Sequence, residues 1–167
     1  MTDHPLVVLM GVAGCGKSTV GPRLADALGV PFVDGDDVHT AAAKAQMAAG
    51  RPLDDATRGP WLDRLHQILV EHAEVGIVLA CSALKDSYRR RLVGDLAGVR
   101  FIALVAPPAV LERRLRERPE HFAGPELLPS QLEHLELGPD VVVIDATRAI
   151  DTVTDEAAAA VRDSGVA

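Results

Sequence analysis

Gly11-Val12-Ala13-Gly14-Cys15-Gly16-Lys17-Ser18, followed by Thr19, fits the phosphate-binding loop pattern G-x-x-x-x-G-K-[ST] at every position. The residues around it have the right character. Leu6 to Met10 is a short apolar run of the kind found in strands buried on both faces of a parallel sheet. Thr19 to Leu28 reads as a helix, with Val20, Leu24, Ala27 and Leu28 on one face. Strand, glycine loop and helix together present backbone N–H groups and a helix N-terminus to an anion. Lys17 is placed to reach the β- and γ-phosphates of a nucleotide, and the Ser18 hydroxyl to sit on Mg²⁺. A chance glycine turn before a helix is the competing reading, and the apolar strand directly upstream argues against it.

Outward from this loop, apolar runs and helical patterns alternate along the chain. Short strands are expected at Val30 to Val33, Gly76 to Cys81, Arg100 to Val105 and Val141 to Ile144. Helices are expected over Val38 to Ala49, Gly59 to Ala73, Lys85 to Leu96, from Pro107–Pro108 onward, Ser130 to Leu137 and Ile150 to Arg162. Every connection is long enough to cross over, so the pattern predicts an α/β fold. It is a P-loop NTPase-type, five-stranded parallel sheet with helices on both faces. The segment at about 114–130, rich in arginine and then irregular, reads as a small lid on a single domain spanning 1–167.

Composition narrows the class. The chain has 167 residues, 48% hydrophobic and 25% charged, the balance of an ordinary globular domain, with a net charge of −7. That charge argues against a general nucleic-acid binder. Two cysteines outside any metal-binding spacing argue against a disulfide framework or structural zinc. Met1 to Pro5 carries no basic segment, and the apolar run after it is too short for a signal peptide or membrane span, so a cytoplasmic protein is expected.

The residues after the second strand discriminate among phosphate-loop proteins. Asp34 and Asp36, one residue apart at a strand's carboxyl end, suit a small-molecule kinase. One helps hold Mg²⁺, and the other orients a substrate hydroxyl and accepts its proton. We assign the metal to Ser18 and Asp34 and the proton to Asp36. Turn chemistry and helix capping are the structural alternative for an Asp-Gly-Asp run. Phosphoryl transfer also needs positive charge around the moving group. Arg114 and Arg118, four apart at the end of a helix leading into the irregular segment, have the placement of lid arginines, whereas Arg113 and Arg116 read as a solvated face. Lys85, just past the third strand, faces the cleft. Trp61 reads as packing rather than as a stacking platform.

Several segments together resemble the gluconokinase family, whose members transfer the γ-phosphate of ATP to D-gluconate. They are the loop from Gly11 to Thr19, Phe32-Val33-Asp34-Gly35-Asp36 with His39, Met47 with Gly50, Pro52-Leu53-Asp54-Asp55, Arg58 and Pro60-Trp61-Leu62. Cys81-Ser82-Ala83-Leu84-Lys85 with Tyr88-Arg89, Arg114, Arg118, His121-Phe122, Leu127-Leu128 and Ser130-Gln131 continue the match in order. The loop alone is generic, but the Cys-Ser-Ala-Leu-Lys and Pro-Leu-x-Asp segments are specific. The resemblance implies that Asp36, His39, Arg58, Ser82, Lys85, Arg89 and His121 line the gluconate side. It implies that Arg114 and Arg118 lie near the phosphates and that Asp145 to Thr147 lie near the adenine. It also implies ATP and Mg²⁺ as the cofactors and a homodimer as the assembly.

The family usually has Pro, Asn and Lys where this chain has Thr40, Ala43 and Gln46, so the acceptor half is where specificity is expected to differ. Two alternatives stand beside this reading. One is a kinase for another small acceptor such as shikimate or a related aldonate. The other is a non-catalytic nucleotide-binding regulatory protein.

Overall fold

A computed structural model of the chain describes residues 4–118 and 124–164. His121 and part of the expected lid lie outside them. The five strands are β1 (Leu6–Met10), β2 (Phe32–Asp34), β3 (Ile77–Ala80), β4 (Val99–Val105) and β5 (Val141–Asp145). They form one sheet in the order β2-β3-β1-β4-β5 with every pairing parallel. The helices are α1 (Lys17–Leu28), α2 (Ala41–Ala48), α3 (Asp55–Glu71), α4 (Asp86–Val93), α5 (Pro108–Arg116), α6 (Leu128–His134) and α7 (Ile150–Ser164). No helix among the described residues is long and apolar enough to cross a membrane.

The two-residue period of the strands divides the core. Val7 and Leu9 of β1 join Val78, Ile102, Leu104 and Ile144 on the face covered by Val20 and Leu24 of α1 and Val153, Ala157 and Val161 of α7. Val8 and Met10 join Ile77, Leu79 and Ala103 on the other face, under Trp61, Leu62, Leu65 and Leu69 of α3 and Leu92 of α4. Both faces are therefore buried, which is why the strands read as unbroken apolar runs.

Between β2 and α3 the boundaries differ from the sequence expectation, and these differences matter for the site. The strand begins at Phe32 rather than Val30, because Pro31 offers no N–H to the ladder. It extends through Asp34, which pairs with Ala80. The expected helix from Val38 is instead a 3₁₀ turn, Gly35–Val38, then extended backbone at His39 and α2 from Ala41. Asp34 caps the turn, accepting from the Asp36 N–H at 3.0 Å, and Thr40 caps α2, accepting from the Ala43 N–H at 3.1 Å. The third helix starts at Asp55, not Gly59, because Asp54 captures the Thr57 N–H at 2.7 Å.

The seat of β2 depends on Gly21 of α1. A Cβ built there would lie 2.3 Å from the Phe32 ring. Gly21→Ala is expected to overpack this contact and destabilise the fold by about 1–3 kcal/mol, read as a lower urea midpoint with an unchanged slope.

Candidate active site

The phosphate loop follows β1 at the carboxyl edge of the sheet, where the strand order turns back on itself and α/β proteins bind ligands. Gly14 has φ +85°, and a Cβ there would stand 2.9 Å from the Leu111 carbonyl, so the loop needs glycine on both counts. The Cys15 N–H closes a turn on the Val12 carbonyl at 3.2 Å. Lys17 folds back along the loop, its Nζ donating to the carbonyls of Gly11 at 2.7 Å and Val12 at 3.3 Å. Cys15, with its Sγ 3.7 Å from that ammonium, is buried. Gln131 of α6 reaches across to accept from the Ala13 N–H at 2.6 Å.

The loops after β2 and β3 bring the second half of the site to the first. Ser18 Oγ donates to Asp34 Oδ2 at 3.2 Å. Burial first, and then the neighbouring Asp36 carboxylate, push the Asp34 carboxyl above its ordinary range; hydrogen bonds from the Asp36 N–H and Ser18 partly offset this. A hydroxyl and a carboxylate oxygen in contact are the hard donors that Mg²⁺ takes together with nucleotide phosphates. Among the described residues no cluster of three or more His, Cys, Asp or Glu is placed to hold a metal ion. A cavity of about 50 Å³ is lined by Gly14, Lys17 and Ser18 on the loop side and by Asp36, Met47, Ser82, Arg118 and Gln131 opposite.

Beside Asp36 lies a cluster built on aromatic rings. His39 stacks on Trp61 with centroids 4.2 Å apart and planes 13° from parallel. Trp61 is buried, and its Nε1 donates to the Gly35 carbonyl at 2.8 Å, so it packs and also carries His39. Arg58 donates to the Tyr88 hydroxyl at 2.8 Å, and that hydroxyl donates to Asp55 at 2.7 Å. The Arg58 guanidinium lies 4.7 Å from the Tyr88 ring centroid and the Lys85 ammonium 5.4 Å from it, both within cation–π range. Tyr88 thus holds two cations against its ring. Its role was invisible in the sequence because Arg58 and Asp55 are 30 and 33 residues away.

Burial pushes the His39 imidazole down to about 4, with nearby Arg58 and Lys44 adding to the effect and Asp36 opposing it. His39 is therefore neutral at pH 7 and able to accept as well as donate a hydrogen bond. A folded-state value below the ordinary 6.5 means that the unfolded chain binds the extra proton between the two. Its contribution to stability is full above pH 6.5 and is lost as the pH falls toward 4. The drop in urea midpoint between about pH 7 and pH 4.5 should be smaller in His39→Gln than in the parent.

Other expected residues fall in different places. Arg89 is 2% exposed and donates to the main-chain carbonyls of Ala83 at 2.9 Å, Leu84 at 3.0 Å and Glu136 at 2.8 Å. It fixes the loop that carries Ser82 and Lys85, including Ala83 with its positive φ of 34°, rather than lining the cavity. Arg114 links the phosphate loop to the loop after β5, donating to the Ala146 carbonyl at 2.7 Å and the Cys15 carbonyl at 3.4 Å. A second cavity of about 160 Å³ opens between these loops, lined by Gly16, Thr19, Val20, Arg114, Arg118, Ala146, Arg148, Ile150 and Val153. The Asp145 carboxylate accepts from the Thr147 N–H at 2.9 Å and Oγ1 at 2.6 Å, so these two residues shape the turn while Ala146 and Arg148 face the cavity. Sequence reasoning missed Arg148, Ile150, Val153 and Gln131; proximity to the fifth strand was the signal for the first three.

The departures at Thr40, Ala43 and Gln46 are mainly structural. Thr40 caps α2, Ala43 is buried in the core with Met47 and Leu53, and Gln46 donates to the Pro52 carbonyl at 2.8 Å.

The AAA domain family matches residues 6–137. The chain is 42% identical to a gluconokinase of Gluconobacter oxydans, over 93% of this chain and 95% of that one. It is 38% identical to the thermosensitive gluconokinase of Escherichia coli, over 92% and 86%. The crystal structure of a gluconokinase from Sinorhizobium meliloti superposes with a TM-score of 0.85 at 36% identity, covering 95% of this chain and 92% of that one.

Proposed function

The chain belongs to the gluconokinase family of P-loop kinases, and on that premise we propose that it transfers the γ-phosphate of ATP to D-gluconate, giving 6-phospho-D-gluconate. The observation that carries this reading is the shared cavity: Lys17 and Ser18 of the phosphate loop face Asp36 and Ser82 across a single space. Two bound substrates there have their reacting atoms adjacent, which is most of what phosphoryl transfer asks of a protein.

In this reading the loop N–H groups and the start of α1 hold the β- and γ-phosphates, and Lys17 leaves its loop carbonyls to neutralise them. Ser18 and Asp34 would hold Mg²⁺, which supplies charge neutralisation at the phosphates when bound. Asp36 aligns the attacking hydroxyl and accepts its proton. His39, Arg58 and Lys85 receive the sugar acid, with the two cations held by Tyr88 suited to its carboxylate. Arg118, which lines both cavities, sits between nucleotide and acceptor and stabilises charge on the group in transfer. Arg114 joins the loops on either side of the nucleotide, and the cavity beside Arg148 and Ile150 receives the nucleoside.

A lid over about 114–130, His121 as a residue of the acceptor side and a homodimer complete the proposal, supported by the family resemblance, and a cytoplasmic setting is proposed with them. The single domain is supported by the continuous sheet. No nucleic-acid or membrane partner is expected, in keeping with the acidic net charge.

A coupled ADP-release assay against gluconate, related aldonates, shikimate and nucleoside monophosphates tests the function. Turnover that rises with gluconate above every other acceptor is expected. Preference for shikimate or another aldonate would reassign the substrate, and nucleotide binding without acceptor-dependent turnover would make the chain a regulatory protein.

A further inference from the structure

A phosphate loop functions by keeping main-chain N–H groups directed at the place where phosphate oxygens will sit. Here the N–H of Ala13, a loop residue that lines the cavity, is occupied by the protein itself. The Ala13 N–H donates to the side-chain carbonyl of Gln131 at 2.6 Å, across 118 residues of sequence. An amide oxygen is an uncharged counterpart of a phosphate oxygen, and a single N–H makes one good hydrogen bond at a time. Nucleotide phosphate and Gln131 therefore compete for the same donor.

The displaced side chain has somewhere to go. Gln131 lines the same cavity as Asp36, Ser82 and Arg118 and is only partly buried. The segment just after α6 is tied down independently. The Glu136 N–H donates to the Leu84 carbonyl at 2.8 Å, the Glu136 carboxylate accepts from the Asp86 N–H at 3.1 Å, and Arg89 holds its carbonyl. With that anchor fixed, freeing the contact at Ala13 is a rotation of one side chain. It presents two amide N–H donors and one carbonyl to a cavity where a polyhydroxylated acceptor would lie.

We infer that Gln131 caps the phosphate loop in the nucleotide-free protein and, displaced by nucleotide, becomes a binding residue for the acceptor. The nucleotide half of this rests on the loop alone, and the acceptor half rests on the proposed function. The contact also links occupancy of one half of the site to readiness of the other, because the amide becomes available to the acceptor only once the nucleotide has arrived.

The test is Gln131→Leu, which removes both polar atoms from a partly exposed position. Removing a competing hydrogen bond should tighten binding of a non-hydrolysable ATP analogue, measured by calorimetry without acceptor, by about 2- to 10-fold. In the same protein the KM for gluconate should rise about tenfold, with the KM for ATP not increased. Opposite changes in the two affinities are not expected from a residue that merely supports the fold. Gln131→Glu provides a second reading: it keeps an acceptor for Ala13 but sets a carboxylate beside the phosphates, so analogue binding should weaken. Unchanged or weaker analogue binding in Gln131→Leu would overturn the cap. Tighter binding with an unchanged acceptor KM would overturn the acceptor role. If the parent chain shows no gluconate turnover, the proposed function fails, and the analogue measurement still decides the cap.

Discussion

Replacing Asp36 with Asn lowers kcat by about 10²–10⁴-fold, the usual contribution of a positioned general base, and leaves ATP-analogue affinity nearly unchanged. The change is close to isosteric, so the 3₁₀ turn survives: its cap is the Asp34 carboxylate on the Asp36 main-chain N–H, which the substitution does not touch. What is lost is the ability to take a proton at Asp36, the one carboxylate among the described residues that lines the cavity opposite Lys17 and Ser18. Steady-state kinetics with saturating acceptor, set beside calorimetric analogue binding, separates the two quantities. An Asn variant with near-native kcat would reduce Asp36 to a turn residue. The control is Asp34, whose Oδ2 accepts from Ser18 and whose loss should weaken nucleotide and metal binding as well.

The second large effect is at Lys17. Lys17→Met keeps the aliphatic stem of a half-buried residue and removes the ammonium. In the nucleotide-free protein that ammonium rests on the carbonyls of Gly11 and Val12, a short swing from any phosphate in the loop. Charge builds on the transferring group as the reaction proceeds, and removing one preorganised donor to such charge typically costs about 10²–10³-fold in rate. We expect a loss of that size in single-turnover rate, with a thermal midpoint close to that of the parent because methionine keeps the stem that Lys17 packs in the loop. A rate within a few-fold of the parent would mean that the arginines alone neutralise the phosphates.

Much of this architecture is legible in the sequence. β1, the glycine loop and α1 form one local unit, and its motif and periodicity lie within about twenty residues. The parallel sheet followed from strand–helix alternation, and the placement of Asp34 and Asp36 from their position at a strand end. The unreadable parts involve contacts between distant segments. Nothing local marks Gln131 as a partner of Ala13, Tyr88 as the support of Arg58, or Arg89 as a clamp on main-chain carbonyls. Pattern reading also favoured one long helix after β2, because alanine-rich sequence is permissive. Capping by Asp34 and Thr40 divided it instead.

The strand order carries one further consequence. In the proposed reading, loops after β2 and β3 form the acceptor side, while the loop after β1, α5 and the turn after β5 form the nucleotide side; β3 and β1 meet at the centre of the sheet. Inheritance can therefore act on the two halves separately. Substitutions clustered past β2 and β3 can redirect the chain toward a new sugar acid while the energy source stays the same. Residues such as Arg118 and Gln131, which answer to both halves, are the ones where drift is least free.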